Sequence, residues 1–487
     1  MRDMRKIAQD HARWTKMDEL GGSAEREVIK FGRELRKEER GSPMDEETIK
    51  PKDEAENNGL DGNVVLCSEN LEDNERKIMK GDAVGDTMYS ASWILRTIIS
   101  LTKAEDVKFT DTLEIELCSL WDMTAQEDVV TFLLDNNFLD IAEHVLRSSK
   151  NNRLTEIILG IIGNMCCQPV VLRDVGNRKN LVVAILDLLT SDDTETLIQV
   201  LRIVRAATWD VQRNDESAWL ENIRACQFFG EALLFLLQSS TNENLLTTAI
   251  DLLKSISSIK LPNGSNLLFN LVNIEGIIPA LFESAAQVIS EQGFYLQSQQ
   301  RKIRNWLAVL RSIVQDHQFA IKKDEPDESS QYGLNLLLKI LEPYVHSENL
   351  FPMEEETALC ISDCVEICLW FQKKGAIVSP LLVHVILSIL LILKSAVATD
   401  TESLRRFHLN HEEHFEEPEE LLNREFSKEL LQYLENYWVD TVGTYNKDML
   451  TKCLKLCSNE AVKSLVQIIE RNPKSSKTIV EKLRAVI

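Results

Sequence analysis

The sequence predicts an all-α chain, an armadillo/HEAT-like α-solenoid with a disordered N-terminal tail. Three observations carry this. Apolar residues recur at steps of three and four over most of the 487 residues, the spacing of amphipathic helices. Only 18 Gly and 11 Pro occur, too few for a turn-rich β architecture. A two-helix segment also repeats along the chain.

Residues 1–80 are polar and mixed in charge. A short amphipathic helix is expected at 25–39, and 41–62 reads as disordered. Dense helical patterning runs from 81 to 400, and Asp86, Thr87 or Ser90 stands where the first helix needs a cap. The repeat emerges on aligning Ser148, Ser191 and Ser239, spaced by 43 and 48 residues. Ten residues before each serine stand Phe138, Leu181 and Phe229; six before, Ala142, Ile185 and Leu233; three before, Val145, Leu188 and Leu236; two before, Leu146, Leu189 and Leu237. After it come Leu154, Leu197 and Leu245, then Ile158, Leu201 and Ala249, then Ile161, Val204 and Leu252, and finally Met165, Thr208 and Ile256. Each unit is therefore two amphipathic helices joined by a polar turn. Such a pair cannot bury its apolar face alone, so neighbours must stack. Looser copies pair 276–289 with 303–314 and 333–345 with 356–371. Residues 401–420 read as an acidic linker or loop, and 421–487 as a C-terminal helical cap.

The net charge of −23 repels phosphate backbones, so no nucleic-acid partner is expected. The most basic stretch, 33–40, is interrupted by glutamates. Ten scattered cysteines fit a reducing compartment, with thiols serving as small apolar groups. The N-terminus lacks the apolar core of a secretory signal. Residues 376–393 are long and apolar enough to span a bilayer, but they carry Pro380, His384 and two serines without an aromatic belt. A buried solenoid helix is expected there, with a transport or membrane-associated adaptor as the alternative.

Three stretches also carry a family resemblance. They are GDTMYSASWILRTII (85–99), LCSLWDMTAQEDVVTFLL (117–134) and EIILGIIGNMCC (156–167). Gly85, Tyr89, Ser90 and Trp93, then Trp121-Asp122-Met123, Glu127-Asp128-Val129 and Gly163-Asn164-Met165, resemble the serum amyloid A-like protein family. The match is strong over 81–170, weaker toward the C-terminus and absent from about the first 75 residues. The resemblance implies an intracellular, nuclear or cytoplasmic armadillo-like protein, unrelated to the small secreted acute-phase protein. It implies a link to cell proliferation and offers no catalytic residues to carry over.

Gly160 and Gly163 raise a question, because helical glycine costs about 0.5–1 kcal/mol relative to alanine. At ~100° per residue, Gly160 lies about 130° and Gly163 about 170° from the centre of the shared apolar stripe. Both are thus expected on the face turned away from the core, with Glu156 and Asn164. The same face continues through Gln199 and Ala206, then Asp251, Lys254 and Ser255. In armadillo-like solenoids the last helix of each unit lines the concave surface. One reading is that small residues let neighbouring helices pack closely. The other is that a bare face admits a partner's extended backbone, with Asn164 offering a donor and an acceptor. The second reading makes Glu156, Gly160, Gly163, Asn164, Gln199, Asp251, Lys254 and Ser255 the candidate partner-binding residues. An importin-like Trp/Asn ladder is absent, since the positions matching Asn164 hold Ala207 and Ser255.

His408, His411 and His414, with Glu412, Glu413 and Glu416, are the one dense cluster of potential metal ligands. Their three-residue spacing is not that of the His-Glu-x-x-His motif, and solvated histidines are expected. Cys360, Cys364 and Cys368, like Cys453 and Cys457, read as buried thiols. Thr124 and Glu127 read as a capping box for the next helix. No metal, cofactor or paired acid and base is expected. The function read from sequence is a non-enzymatic protein-binding scaffold whose partner is a basic or extended segment. A metal-binding protein or metalloenzyme built on the histidine cluster is the alternative.

Overall fold

Among the described residues of a computed structural model, the steps of three and four become twenty-two α-helices. The structure describes residues 83–487 apart from 86, 88, 103–108, 215, 290–296, 316–327, 377 and 399–423. In chain order the helices are α1 (Ala91–Thr102), α2 (Asp111–Met123), α3 (Glu127–Asp135), α4 (Phe138–Ser148), α5 (Asn152–Met165), α6 (Pro169–Asn177), α7 (Lys179–Asp187) and α8 (Thr194–Arg213). Next come α9 (Ala218–Ala225), α10 (Phe229–Ser239), α11 (Glu243–Ser257), α12 (Leu267–Leu271), α13 (Ile274–Val288), α14 (Gln297–Gln315), α15 (Glu328–Leu341) and α16 (Ser347–Leu350). The last are α17 (Glu355–Lys373), α18 (Pro380–Ala398), α19 (Arg424–Thr444), α20 (Lys447–Leu454), α21 (Asn459–Arg471) and α22 (Lys477–Arg484). No strand occurs among the described residues.

Two rows of helices explain the repeat. The second helices form a spine in which α2, α5, α8, α11, α14, α17 and α19 each pack on the next. The first helices form a flank: α1 packs on α4, α4 on α7, α10 on α13, α13 on α15 and α15 on α18. Of the positions aligned before and after the three serines, only Leu188 is not buried. The looser copies coincide with α13 and α14, and with α15 and α17. The expected two-helix unit is incomplete, however. Short helices α3, α6, α9 and α12 lead into the flank helices, making three-helix units of armadillo type.

The polar turns before the spine helices share one device. Asn151, Asp193 and Asn242 accept from the backbone N–H of Leu154, Thr196 and Leu245 at 2.8–3.0 Å. The hydroxyls of Ser149, Ser191 and Ser240 in turn accept from the N–H of those capping residues, each at 3.1 Å. A capping side chain is worth about 1 kcal/mol. Asp193→Ala is therefore expected to lower stability by ~1 kcal/mol, read as a shifted urea midpoint with unchanged slope.

Three indoles tie neighbouring helices. Trp219 Nε1 donates to Leu172 O at 2.8 Å, Trp306 Nε1 to Leu281 O at 2.8 Å and Trp438 Nε1 to Leu465 O at 3.2 Å. Each bond satisfies a donor that would otherwise be buried without a partner. At the start, Ser90 Oγ accepts from Trp93 N and the Tyr89 and Trp93 rings lie 4.3 Å apart. Helix α18, long and apolar enough to cross a membrane, packs against α15, α19 and α20.

Candidate functional site

The face expected to be open at Gly160 and Gly163 is closed. A spine helix touches spine helices on both sides as well as its own flank helix, so one apolar stripe understates its contacts. Helix α5 buries 11 of its 14 residues and α8 buries 15 of 20. Gly160 makes room for the Trp121 ring of α2: a Cβ built there would stand 2.1 Å from Trp121 Cε2. Gly163 is also buried, but a Cβ there would meet only Ile203 Cγ1 at 3.6 Å.

Asn164 is not held in reserve for a partner. Its Nδ2 donates to Trp121 O and to Thr124 Oγ1, both at 3.2 Å. Thr124 therefore does not cap the next helix. Its hydroxyl donates to Trp121 O, while Gln126 occupies the N-cap of α3 without a side-chain bond. For Gly160 the close-packing reading is the one this geometry supports, whereas the packing at Gly163 leaves room for a methyl.

Of the remaining candidates, Asp251 and, through Arg153, Glu156 take part in polar contacts between spine helices, while the bonds of Gln199 and Ser255 lie within their own helices. Glu156, nearly buried, accepts from Arg153 at 2.7 Å, and Arg153 also donates to Glu114 of α2 at 2.8 Å. Burial pushes the Glu156 carboxyl up while Arg153 opposes the shift. Gln199 Oε1 accepts from Arg202 Nη1 at 2.6 Å within α8. Asp251, 3% exposed, accepts from Arg205 of α8 at 3.2 Å and from Asn305 of α14 at 2.7 Å. Arg301 lies 3.5 Å from the same carboxylate. Ser255 donates to Asp251 O, and Lys254 is half-buried one turn on. Farther along, Gln372 donates to Tyr437 Oη and Tyr445 Oη, each at 3.0 Å, joining α17 to α19 and the turn beyond it. The structure thus spreads the eight candidates over three helices and uses four of them, Glu156, Gly160, Asn164 and Asp251, to bind neighbouring units together.

An open site occurs one step along the spine. A groove of about 590 Å³ lies where α11, α14 and α17 meet. Ser257 and Ser258 come from the end of α11; Lys260, Gly264 and Asn266 from the turn closed by the Lys260–Asn266 bridge. Ala308, Arg311, Ser312 and Gln315 come from α14, and Asp363 from α17. Asn266 Nδ2 donates to Ser257 O and Ser312 Oγ, pinning the turn against both helices. Arg311 Nη1 donates to Asp363 Oδ1 at 2.8 Å, and its Nε lies 3.0 Å from Glu366 Oε2. Burial pushes the Asp363 carboxyl up to about 6, with Arg311 opposing and Glu366 adding to the shift. The serine-rich floor is the feature that reading along the chain missed. Its signal was the pair Ser257 and Ser258 at the end of α11, which share the groove lining with Ala308 and Ser312.

His408, His411 and His414 lie outside the described residues. Among the described residues, no group of three His, Cys, Asp or Glu is placed to hold a metal ion. Cys360, Cys364, Cys368 and Cys453 are buried free thiols. Burial pushes Cys368 up to about 12, so it is no nucleophile at neutral pH. Cys457 Sγ lies 3.5 Å from His384 Nδ1, yet burial raises the thiol and lowers the imidazole. That pair is neutral rather than a thiolate beside an imidazolium.

No protein-family model matches the chain. Curated relatives do. The chain is 32% identical over 238 residues to Protein saal1 of Danio rerio, covering 45% of this chain and 50% of that one. It is 30% identical over 244 residues to Protein SAAL1 of Homo sapiens, covering 44% and 51%. The chain therefore spans about half the length of the curated relatives it matches. Among solved structures, an engineered protein aligns over 80% of this chain and 98% of its own at 13% identity, with a TM-score of 0.30. A chain from work on a phosphorylation switch between cadherin and beta-catenin aligns over 81% and 95% at 13% identity, with a TM-score of 0.36.

Proposed function

Starting from a chain that resembles the serum amyloid A-like proteins over about 45% of its length, we propose that it is a protein-binding scaffold without a catalytic step of its own, docking a partner segment on its spine. The observation that carries this is the groove at the α11–α14–α17 junction, a polar opening in a row of helices that are otherwise buried on most sides. Polar side chains there offer hydrogen bonds to an extended chain, as peptide-binding grooves do. Work in the nucleus or cytoplasm belongs to the same proposal. Nine free cysteines among the described residues support a reducing compartment. A part in cell proliferation would follow from the partner rather than from chemistry of this chain.

The test is a photo-cross-linking amino acid placed at Ser258 in the groove and, separately, at the exposed Phe235 on flank helix α10. Irradiation in cells is expected to give discrete adducts from Ser258 that Phe235 does not give. Identical adduct patterns from both positions would remove the groove as the docking site.

A further inference from the structure

We infer that a pit on the α14–α17 pair seats a single apolar side chain from a basic partner segment, a contact separate from the groove. The pit encloses about 170 Å³ and is walled by α14, the end of α15, the short segment Glu342–Val345, α16 and α17. Its floor is Ile303 of α14, Ile340 of α15 and Cys360 of α17, exposed by 3%, 2% and 6%. Apolar cavities of about 150 Å³ hold a benzene ring, so this space takes one side chain of leucine or phenylalanine size.

The walls are already fixed in place. Asn349 Nδ2 donates to Pro343 O at 3.0 Å, tying α16 to the turn before it. The Tyr344 hydroxyl bonds the Cys360 thiol, which holds the ring against the floor. Arg304 of α14 pairs with Glu356 of α17 at the mouth. An apolar floor beneath a polar rim is the form of a pocket in which one anchoring side chain supplies much of the binding energy. A preformed pocket also spares the cost of ordering its walls on binding.

The charges around the mouth select the segment that carries the anchor. Exposed Glu342, Glu348 and Glu355 adjoin the lining residues Pro343, Asn349 and Glu356 in sequence, and the charge of Glu354 acts on the Tyr344 hydroxyl. Among the described residues only Glu356 of these five is ion-paired, and its partner Arg304 is the one cation in the lining. Counting Lys339 as well, one turn before Glu342, the glutamates still outnumber the cations. The excess negative charge suits lysine or arginine on either side of the anchor and opposes an acidic or phosphorylated segment.

The test uses the full chain and three fluorescein-labelled peptides of equal length, read by anisotropy. The first sets one leucine amid alternating lysine and serine, the second replaces that leucine with serine, and the third replaces the lysines with glutamate. The first is expected to bind about tenfold more tightly than the second, the gain from burying one aliphatic side chain, and the third is expected not to bind. Thr357→Phe, at the half-buried rim, fills the pit and should remove the advantage of leucine. Glu355→Lys should weaken the first peptide, whereas Glu460→Lys, the same reversal at an exposed position on α21, should leave it unchanged. Equal affinity for the first two peptides, or no binding of the first, would overturn the inference. Preference for the third peptide, or equal effects of Glu355→Lys and Glu460→Lys, would overturn the basic segment. If Thr357→Phe melts early, the leucine-to-serine comparison and Glu355→Lys still decide, since both leave the pit intact. Cross-links from Ser258 report on the groove and the peptides on the pit, so either can fail alone.

Discussion

Gly160→Ala lowers the stability of the helical array by about 2–3 kcal/mol, the cost of overpacking, whereas Gly163→Ala, one turn on, leaves it unchanged or raises it by up to ~1 kcal/mol. The two glycines share a helix, are both buried and are three residues apart. They differ in what an added methyl meets. At Gly160 it would overlap the Trp121 ring at 2.1 Å, and at Gly163 it finds an ordinary contact with Ile203 at 3.6 Å. Urea denaturation of both variants followed by circular dichroism measures the difference. Trp121→Leu in the Gly160→Ala background should recover part of the loss, because a smaller side chain makes room. Equal losses at both positions would mean that helix α5 requires glycine for some reason other than the tryptophan.

Asp251→Ala is expected to cost about 3–5 kcal/mol, the range for breaking a buried pair by removing one partner. The carboxylate is 3% exposed and joins Arg205, Asn305 and Arg301 from the helices on either side. Its removal leaves Arg205, only 6% exposed, with buried positive charge. The double change Arg205→Met with Asp251→Leu should recover much of the loss, since well-packed apolar side chains often replace a buried ion pair without penalty. Thermal and urea unfolding of the single and double variants checks both expectations. A single-variant loss under ~1 kcal/mol would place the pair among exposed salt bridges in energetic terms.

Much of the fold could be read along the chain because its periodicity has two levels. The aligned positions from Phe138 to Ile256 mark the apolar stripe of each helix and the unit that repeats it, and they became the core almost without exception. The short leading helices were harder to see, because α6 and α9 have only nine and eight residues. A window of that length carries barely two turns of pattern. The candidate site was less legible for a different reason. A helical wheel shows which face is most apolar, but not how many neighbours a helix will have. Gly160, Gln199 and Asp251 lie off the stripe and were therefore read as exposed, yet a helix between two spine neighbours buries nearly its whole surface. The groove was missed because its walls come from three helices about fifty residues apart, joined only by the fold.

The Arg205–Asp251–Asn305 junction has a consequence for how such chains can change. In an array of interchangeable repeats, a unit can be lost or duplicated and the ends simply close up. Here α8, α11 and α14 bear polar groups that match one another across their contacts. Deleting the unit formed by α9, α10 and α11 would bring Arg205 of α8 against Arg301 and Asn305 of α14 with no carboxylate between them. The order of units is therefore addressed rather than merely counted. Length variation is tolerated in the turns between helices, where no such mark has to be matched.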